Sequence, residues 1–281
     1  MLKEKPEYFQ VSEVMKLKLD EGRFGIFLMK KRNYNTLNAI RTIAKRLGIN
    51  EKRIGYAGNK DKRAVTEQHI SIFNVNKDKV KNLKLKDIEL KFIGSSDKKI
   101  KIGDLEGNKF RIKIDGEIER FDFFENYFGE QRFGRENWII GKKLVKREKV
   151  DEVDKKQLIF CFHAYQSYLF NEALKRYLRK YDHFEKKGYA FLRKKIKNFK
   201  IPLVNFDTDL ENEIGEVYKV VLKEEGVKKE DFLTRNMPFL VSDTVYRNAF
   251  VDVKNFKCKD DWVEFFLPKG AYATVFLAKI L

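Results

Sequence analysis

Residues 55–70 read GYAGNKDKRAVTEQHI. Gly58-Asn59-Lys60-Asp61 has turn-forming composition, and it sets one carboxylate, Asp61, among Lys60, Lys62 and Arg63. The next run, HISIFNV, is short and β-rich, as is FGIFLMK before it, while FQVSEV (Phe9, Val11) and FRIKI (Phe110, Ile112, Ile114) alternate apolar and polar positions. These four segments predict a sheet. Between them, NTLNAIRTIAKRLGI spaces Leu37, Ile40, Ile43, Ala44 and Leu47 at helical intervals, with Asn35 or Thr36 as N-cap and Gly48 as the stop. That helix is expected to pack on the sheet.

Beyond it, NYFGEQRFG (126–134) precedes a second helix around ENWIIGKKLVKRE, and residues 157–181 read as one long helix with Leu158, Phe162, Tyr165, Leu169, Leu174 and Leu178 on a buried face. Residues 184–200 interleave lysine and arginine with Phe184, Tyr189, Phe191 and Phe199, and IPLVNFDTDL then reads as a loop. The C-terminal WVEFFLPKGAYATVFLAKIL reads as two β runs joined across Pro268-Lys269-Gly270. Sheet, then helices and a basic segment, then sheet again indicate an α/β domain carrying an insertion.

The 281 residues carry 60 Lys and Arg against 42 Asp and Glu, a formal charge of +18, so the surface attracts polyanions and nucleic acid is the first candidate partner. No apolar run approaches the roughly 18 to 20 residues of a membrane span, and Met1-Leu2-Lys3-Glu4-Lys5-Pro6 lacks a secretory apolar stretch, so a soluble, cytoplasmic protein is expected. Cys161 and Cys258 are too few for a disulfide framework. Cys161 with His163 reads as helix packing, because a zinc site needs three or four converging ligands. HExxH, GxGxxG and the phosphate-binding glycine loop are absent, as is a serine nucleophile elbow, and Asn59-Lys60-Asp61-Lys62 departs by one position from the guanine-reading NKxD. Carboxylate chemistry or plain binding is left. Few prolines and abundant Lys and Glu suit either a heat-adapted protein or an AT-rich genome.

Asp61 has two readings. It is an ordinary turn aspartate with solvated neighbours, or a partly buried carboxylate held ionised by adjacent cations and so suited to act as nucleophile or base.

Several segments together resemble the TruD family of tRNA pseudouridine synthases. GYAGNKDKRAVTEQHI is similar to the family signature AG-x-KD-x-x-AVT-x-Q, KEKPEYFQVSEV to K-x-x-PEDF-x-V-x-E, and KKRNYNTLNAIRTIAKRLGI to its K-x-x-x-NT helix. KIGDLEGNKFRIKI, NYFGEQRFG, AYQSYLFNEAL and LPKGAYATVFLAKIL resemble further family motifs, in family order along nearly the whole chain. The resemblance implies an α/β (α+β) pseudouridine synthase fold, with a mixed, largely antiparallel sheet and an inserted TruD-specific domain. The catalytic domain would comprise 1–150 and 251–281, and the insert 151–250, compact for the family. It implies isomerisation of uridine to pseudouridine, chiefly at position 13 of certain tRNAs, with Asp61 at the position of the invariant aspartate and with no cofactor or metal.

Such a reaction breaks the N1–C1′ bond, turns the uracil and joins C5 to C1′, on a base taken out of its stack. Attack of Asp61 on C6, attack on C1′ and deprotonation of C2′ all remain open. Phe128 is the expected stacking partner of the uracil and Asn126 a hydrogen-bonding one, while Phe9 and Tyr272 match positions that line the pocket. Lys3 and Lys60 are the candidate cations for Asp61, and Arg132 is expected to bind phosphate or brace its loop. The expected partner is tRNA, with no membrane, no metal and a monomer favoured. Competing readings are a non-catalytic RNA-binding protein on the same scaffold and a metal-dependent nuclease, against which Asp61 has no acidic neighbour before Glu67.

Overall fold

A computed structural model describes residues 4–134, 136–151 and 153–281. The chain forms two compact units: the segment up to Glu117 with Val253–Gly270, and Ile118–Asp252 with Ala271–Leu281. The expected insert, 151–250, lies inside the second unit together with 118–150. No helix among the described residues is long and apolar enough to cross a membrane.

The first unit is built on one eight-stranded sheet. Its strands are β1 (Phe9–Val14), β2 (Phe24–Arg32), β3 (Ile54–Tyr56), β4 (Val65–Phe73), β5 (Ile88–Ser96), β6 (Gly107–Lys113), and two later segments, Lys254–Lys259 and Trp262–Pro268. Those two segments begin an order that runs on through β6, β1, β4, β2 and β5, with β3 pairing β4. β1 and β4 run parallel, and the other pairings are antiparallel. All four predicted strands are present.

Helix α1 (Thr36–Leu47) starts where Asn35 accepts hydrogen bonds from the amides of Leu37 and Asn38, and it ends at Gly48, whose φ of 67° a side chain would disfavour. Ile40, Ile43, Ala44 and Leu47 pack on Phe27, Met29, Ile70 and Ile72, so burial of this apolar stripe is what holds the helix to the sheet. Leu37 departs from the expected face and is 40% exposed, while Thr36 and Ala39 of the same turn are buried. A short α2 (Lys77–Lys81) follows β4.

In the second unit, α3 (Asn137–Val145) and α4 (Lys155–Leu178) match the predicted helices. Gly141 explains their close crossing, since a Cβ there would stand 2.1 Å from the Cys161 carbonyl oxygen. Cys161 itself is fully buried on α4. β7 (Phe123–Glu125) pairs with a later strand, and the basic-aromatic segment folds into the hairpin β8 (His183–Lys186) and β9 (Tyr189–Leu192). The segment read as a loop opens with a strand, β10 (Lys200–Leu203), paired to β11 (Val245–Asn248); helix α5 (Glu213–Glu225) lies between them in sequence and β12 (Phe250–Asp252) completes the β7 pair.

The last apolar run corrects the sequence reading. Ala273–Ile280 is a helix, α6, and only Trp262–Pro268 is a strand. Val275, Phe276, Leu277, Ala278, Lys279 and Ile280 are all buried, so the run is covered on every side and carries no period that separates helix from strand.

Candidate functional site

In the first unit, the loop before β4 is tied down by a buried polar chain. The Lys60 amide donates to Thr36 Oγ1 (3.0 Å), the Thr36 hydroxyl donates to Gln68 Oε1 (2.9 Å), and Gln68 Nε2 donates to the Gly58 carbonyl (3.1 Å). Thr36 is the first residue of α1 and Gln68 lies on β4, so helix and sheet together hold the segment that leads into Asp61.

The basic cluster around Asp61 separates in three dimensions. Lys62 and Arg63 are exposed. Lys60 turns inward to Glu13, with Nζ 2.9 Å from Oε2 and side chains 5% and 0% exposed. Burial alone would raise the Glu13 pKa, but hydrogen bonding from His69 and the charge of Lys60 prevail and hold it below the usual carboxylate range. Asp61 is half-buried.

Lys31 of β2, which is 1% exposed, is a cation beside the loop. Its ammonium donates to the Tyr34 carbonyl (2.6 Å) and to the Asp61 carbonyl (3.2 Å). Burial pulls its pKa down to about 8; the charge of Asp61 opposes that shift and Lys60 adds to it. Lys3, the other cation expected for Asp61, lies outside the described residues. Phe9 is buried, its ring edge-on to Phe110 at 6.3 Å.

In the second unit, NYFGEQRFG is distributed by burial. Tyr127 goes to the core, where its hydroxyl donates to the Ala190 carbonyl (2.9 Å). Phe128 packs edge-on to Phe170 (5.4 Å) and to Tyr272 (6.0 Å). Gly129 permits that approach, because a Cβ there would stand 2.9 Å from Tyr272 Cδ1 and 3.0 Å from Thr274 Oγ1. Asn171 of α4 grips the Phe128 backbone at both ends, accepting from its amide and donating to its carbonyl, each at 2.9 Å.

Two arginines face the same ring. Arg247 of β11 lies with its guanidinium carbon 4.3 Å from the Phe128 ring centre, and Arg132 lies at 5.7 Å. Arg247 Nε donates to the Asn126 carbonyl (2.9 Å) and Nη2 to the Asn126 side-chain oxygen, while Asn126 Nδ2 donates to the Asn248 carbonyl (2.9 Å). Both ends of the Asn126 amide thus bond within the protein. Burial pushes the Tyr272 phenol up, against the pull of Arg132 and Arg247.

A family model described as tRNA pseudouridine synthase D (TruD) matches residues 1–159 and 185–280. The chain belongs to the TruD family. TruD members are isomerases, and this chain is an enzyme of that class. A tRNA pseudouridine synthase D from Aquifex aeolicus is 30% identical, over 99% of this chain and 97% of that protein. A relative from Archaeoglobus fulgidus assigned to the same enzyme is 29% identical, over 100% and 94%. A crystal structure from Methanosarcina mazei, of a protein assigned to TruD, superposes with a TM-score of 0.72 at 25% identity, covering 99% of this chain and 93% of that one.

Within this TruD chain, Lys31, Glu13 and Asn171 lie in the family-like segments without an expected role, and Thr36 is expected only as a possible helix cap. Their signal lay in the motifs K-x-x-x-NT, V-x-E and AYQSYLFNEAL. Arg247 stood in no quoted motif, and only the pairing of β11 with β10 and the turn of its side chain toward Phe128 reveal it.

Proposed function

We propose that this TruD enzyme isomerises a tRNA uridine, the one at position 13, to pseudouridine, with Asp61 as the nucleophile and Phe128 stacking on the flipped base. The observation that carries the reading is the buried chain Gly58–Gln68–Thr36–Lys60, which fixes the backbone immediately before Asp61. A reacting carboxylate must meet one atom of one nucleotide, and a loop braced by buried hydrogen bonds supplies that positional control without spending it at the moment of reaction. Lys31, with its ammonium on the Asp61 carbonyl, adds positive potential at the same place.

The chemistry needs no cofactor. Asp61 bonds C6 or C1′, or takes the C2′ proton on a glycal route; the glycosidic bond breaks, the uracil turns and C5 joins C1′, the bond to Asp61 is then released or the C2′ proton returned, and C5 loses its proton while N1 gains one. Phe128 offers the released base a ring whose backbone is held by the Asn171 clamp, so the uracil turns against a fixed surface. Asn126 acts through Arg247, whose guanidinium takes its carbonyl and side-chain oxygens, and Phe9 and Tyr272 line the path of the nucleotide. The net charge of +18 and the 151–250 insert draw the tRNA backbone in, in the cytoplasm and as a monomer.

The test is incubation of purified protein with unmodified tRNA, followed by pseudouridine mapping. Modification at position 13 by the wild type and its loss in Asp61→Asn are expected. Tight tRNA binding with no pseudouridine would favour the non-catalytic RNA-binding reading, and full activity of Asp61→Asn would remove the nucleophile assignment.

A further inference from the structure

The segments Lys254–Lys259 and Trp262–Pro268, β13 and β14, continue the first unit's sheet beyond β6 and β1, in the order β13, β14, β6, β1. Register divides their side chains between two faces. On one face Phe265 lies opposite Phe110, Phe110 opposite Val11, and Val11 opposite Thr66, whose other neighbour is Lys31, the residue that reaches the Asp61 carbonyl. The other face is basic and aromatic. Along β14, Trp262 stands between Lys113 of β6 and Lys259 of β13, and Glu264 stands between Arg111 and Lys257. Phe266 stands between Lys109 and Lys254. Apart from the half-buried Lys113 these cations are exposed, and both rings are half-buried.

Lys254 shares this face because of a bulge. From Lys254 to Lys257 the chain takes three steps along β13 while the facing Phe266 to Glu264 takes two, and Asn255 adopts a φ of 56° there. Strict alternation would send Lys254 to the face opposite Lys257. Lysines on an edge strand also deter pairing with a second chain. Edge protection, however, calls for neither the cations of β6, on the next strand but one, nor a line of rings between two rows of charge.

Those rings are set for stacking. Arg111 lies 4.3 Å from the Trp262 ring centre, where Glu264 holds it at 3.1 Å, and Tyr8 meets Trp262 edge-on at 6.5 Å. Phe266 rests against Gly107, where a Cβ would stand 2.5 Å from its Cζ. Trp262 and Phe266 are four residues apart on one strand, roughly 14 Å, so each can take a different base. Beside Phe266 a cavity of about 410 Å³ lies among Ser12, Lys109, Lys257 and Glu264. Charge alone would suit any polyanion. Rings flanked by cations suit single-stranded RNA, because its phosphates repeat along the chain and its unpaired bases expose faces that a duplex keeps inside.

We propose that this face of β1, β6, β14 and β13 binds a single-stranded stretch of the RNA substrate away from the reacting nucleotide, with phosphates along the two rows of cations and bases on Trp262 and Phe266. This rests on the reading of RNA as the substrate. The face is turned away from the one on which Lys31 reaches Asp61, so it adds affinity without touching the reacting base, and it reads charge and base faces rather than sequence.

Trp138 and Trp262 are the chain's two tryptophans, so the fluorescence of Trp138→Phe reports Trp262 alone. Titration with unmodified tRNA should quench it saturably, and an unstructured oligouridylate should compete for that quench better than an RNA duplex of equal length. In a binding assay, Lys109→Gln, Lys257→Gln and Lys259→Gln together should weaken tRNA binding by about tenfold or more and flatten the slope of log affinity against log salt by about 2, at ~0.7 for each single-strand phosphate lost. Lys45→Gln, Lys52→Gln and Lys84→Gln together remove the same charge from other exposed positions of the first unit and should cost less than about threefold. Circular dichroism confirms that each variant folds.

Equal losses in the two triple variants, or no quench of Trp262 by bound tRNA, overturn the surface. A duplex that competes as well as the oligouridylate overturns its single-stranded assignment. If the first triple variant binds tRNA as the wild type does but self-associates in light scattering, the lysines guard the edge and the RNA assignment falls. It falls too if anionic phospholipid vesicles quench Trp262 and tRNA does not. Wild type that binds tRNA without forming pseudouridine leaves the quench and the lysine losses in support of the surface and removes the isomerase proposal alone, whereas pseudouridine formation with unchanged binding in the first triple variant removes the surface alone.

Discussion

Asn171 holds Phe128 by both ends of its peptide, the amide oxygen accepting from the Phe128 N–H and the amide nitrogen donating to the Phe128 carbonyl, each at 2.9 Å. The clamp connects α4 to the Phe128 ring by way of the backbone, so the ring's position depends on Asn171.

Asn171→Ala leaves two backbone groups of a buried residue without partners and is expected to cost ~1–3 kcal/mol of stability for each group left unsatisfied. Asn171→Asp keeps the acceptor and loses the donor, so it should fall between. Urea denaturation measures both, and a single-turnover assay should show the rate of pseudouridine formation falling in the same order.

Phe128→Ala should lower turnover more than tRNA affinity. Contacts along the RNA backbone survive the change, while the surface for the flipped base does not. Filter binding and single-turnover kinetics on the same tRNA separate the two quantities, and an unchanged rate would remove the stacking role.

Glu13 and Lys60 form a buried pair, with side chains 0% and 5% exposed and 2.9 Å between charges. Removing one partner strands the other, so Glu13→Gln or Lys60→Met should each destabilise by ~3–5 kcal/mol. Replacing both by apolar residues should cost far less than the sum, and a double-mutant cycle in urea gives the coupling directly.

Stability should depend on alkaline pH through two buried lysines. Lys31 and Lys279 both have pKa values pulled to about 8 by burial, against an ordinary 10.5. Between those values the unfolded chain binds more protons than the folded one, so each lysine adds stability as pH rises through that window, by at most about 1.4 kcal/mol per pH unit. Tyr127, Tyr165 and Tyr168, raised above 10 first by burial, act in the opposite sense at higher pH, because the unfolded chain loses those protons first. Urea midpoints should therefore climb from pH 8 toward 10 and then turn down, with a shallower climb in Lys31→Met.

Much of the architecture was legible from local pattern. The α1 cap at Asn35, its stop at Gly48, the strands around FQVSEV, FGIFLMK, HISIFNV and FRIKI and the long helix α4 all follow from periodicity and turn chemistry that act over a few residues. The C-terminal α6 did not, since a run buried on every side shows neither a period of two nor one of 3.6. The strand β10 was hidden for a related reason: its partner β11 lies more than forty residues away in the chain, and a four-residue segment containing proline carries little signal of its own.

The sequence by itself determined the family, the place of Asp61 in the glycine-containing segment before HISIFNV and the order of the motifs, because these reside in contiguous residues. Only the tertiary structure decided which charge meets which. Lys60, next to Asp61 in the chain, turns to Glu13 forty-seven residues away, while Lys31, thirty residues away, reaches the Asp61 carbonyl. The reason is sheet register. Lys31 lies on β2 opposite Thr66 of β4, and Glu13 lies on β1, which also pairs with β4, so pairing across strands brings to the loop before β4 side chains that are remote in sequence.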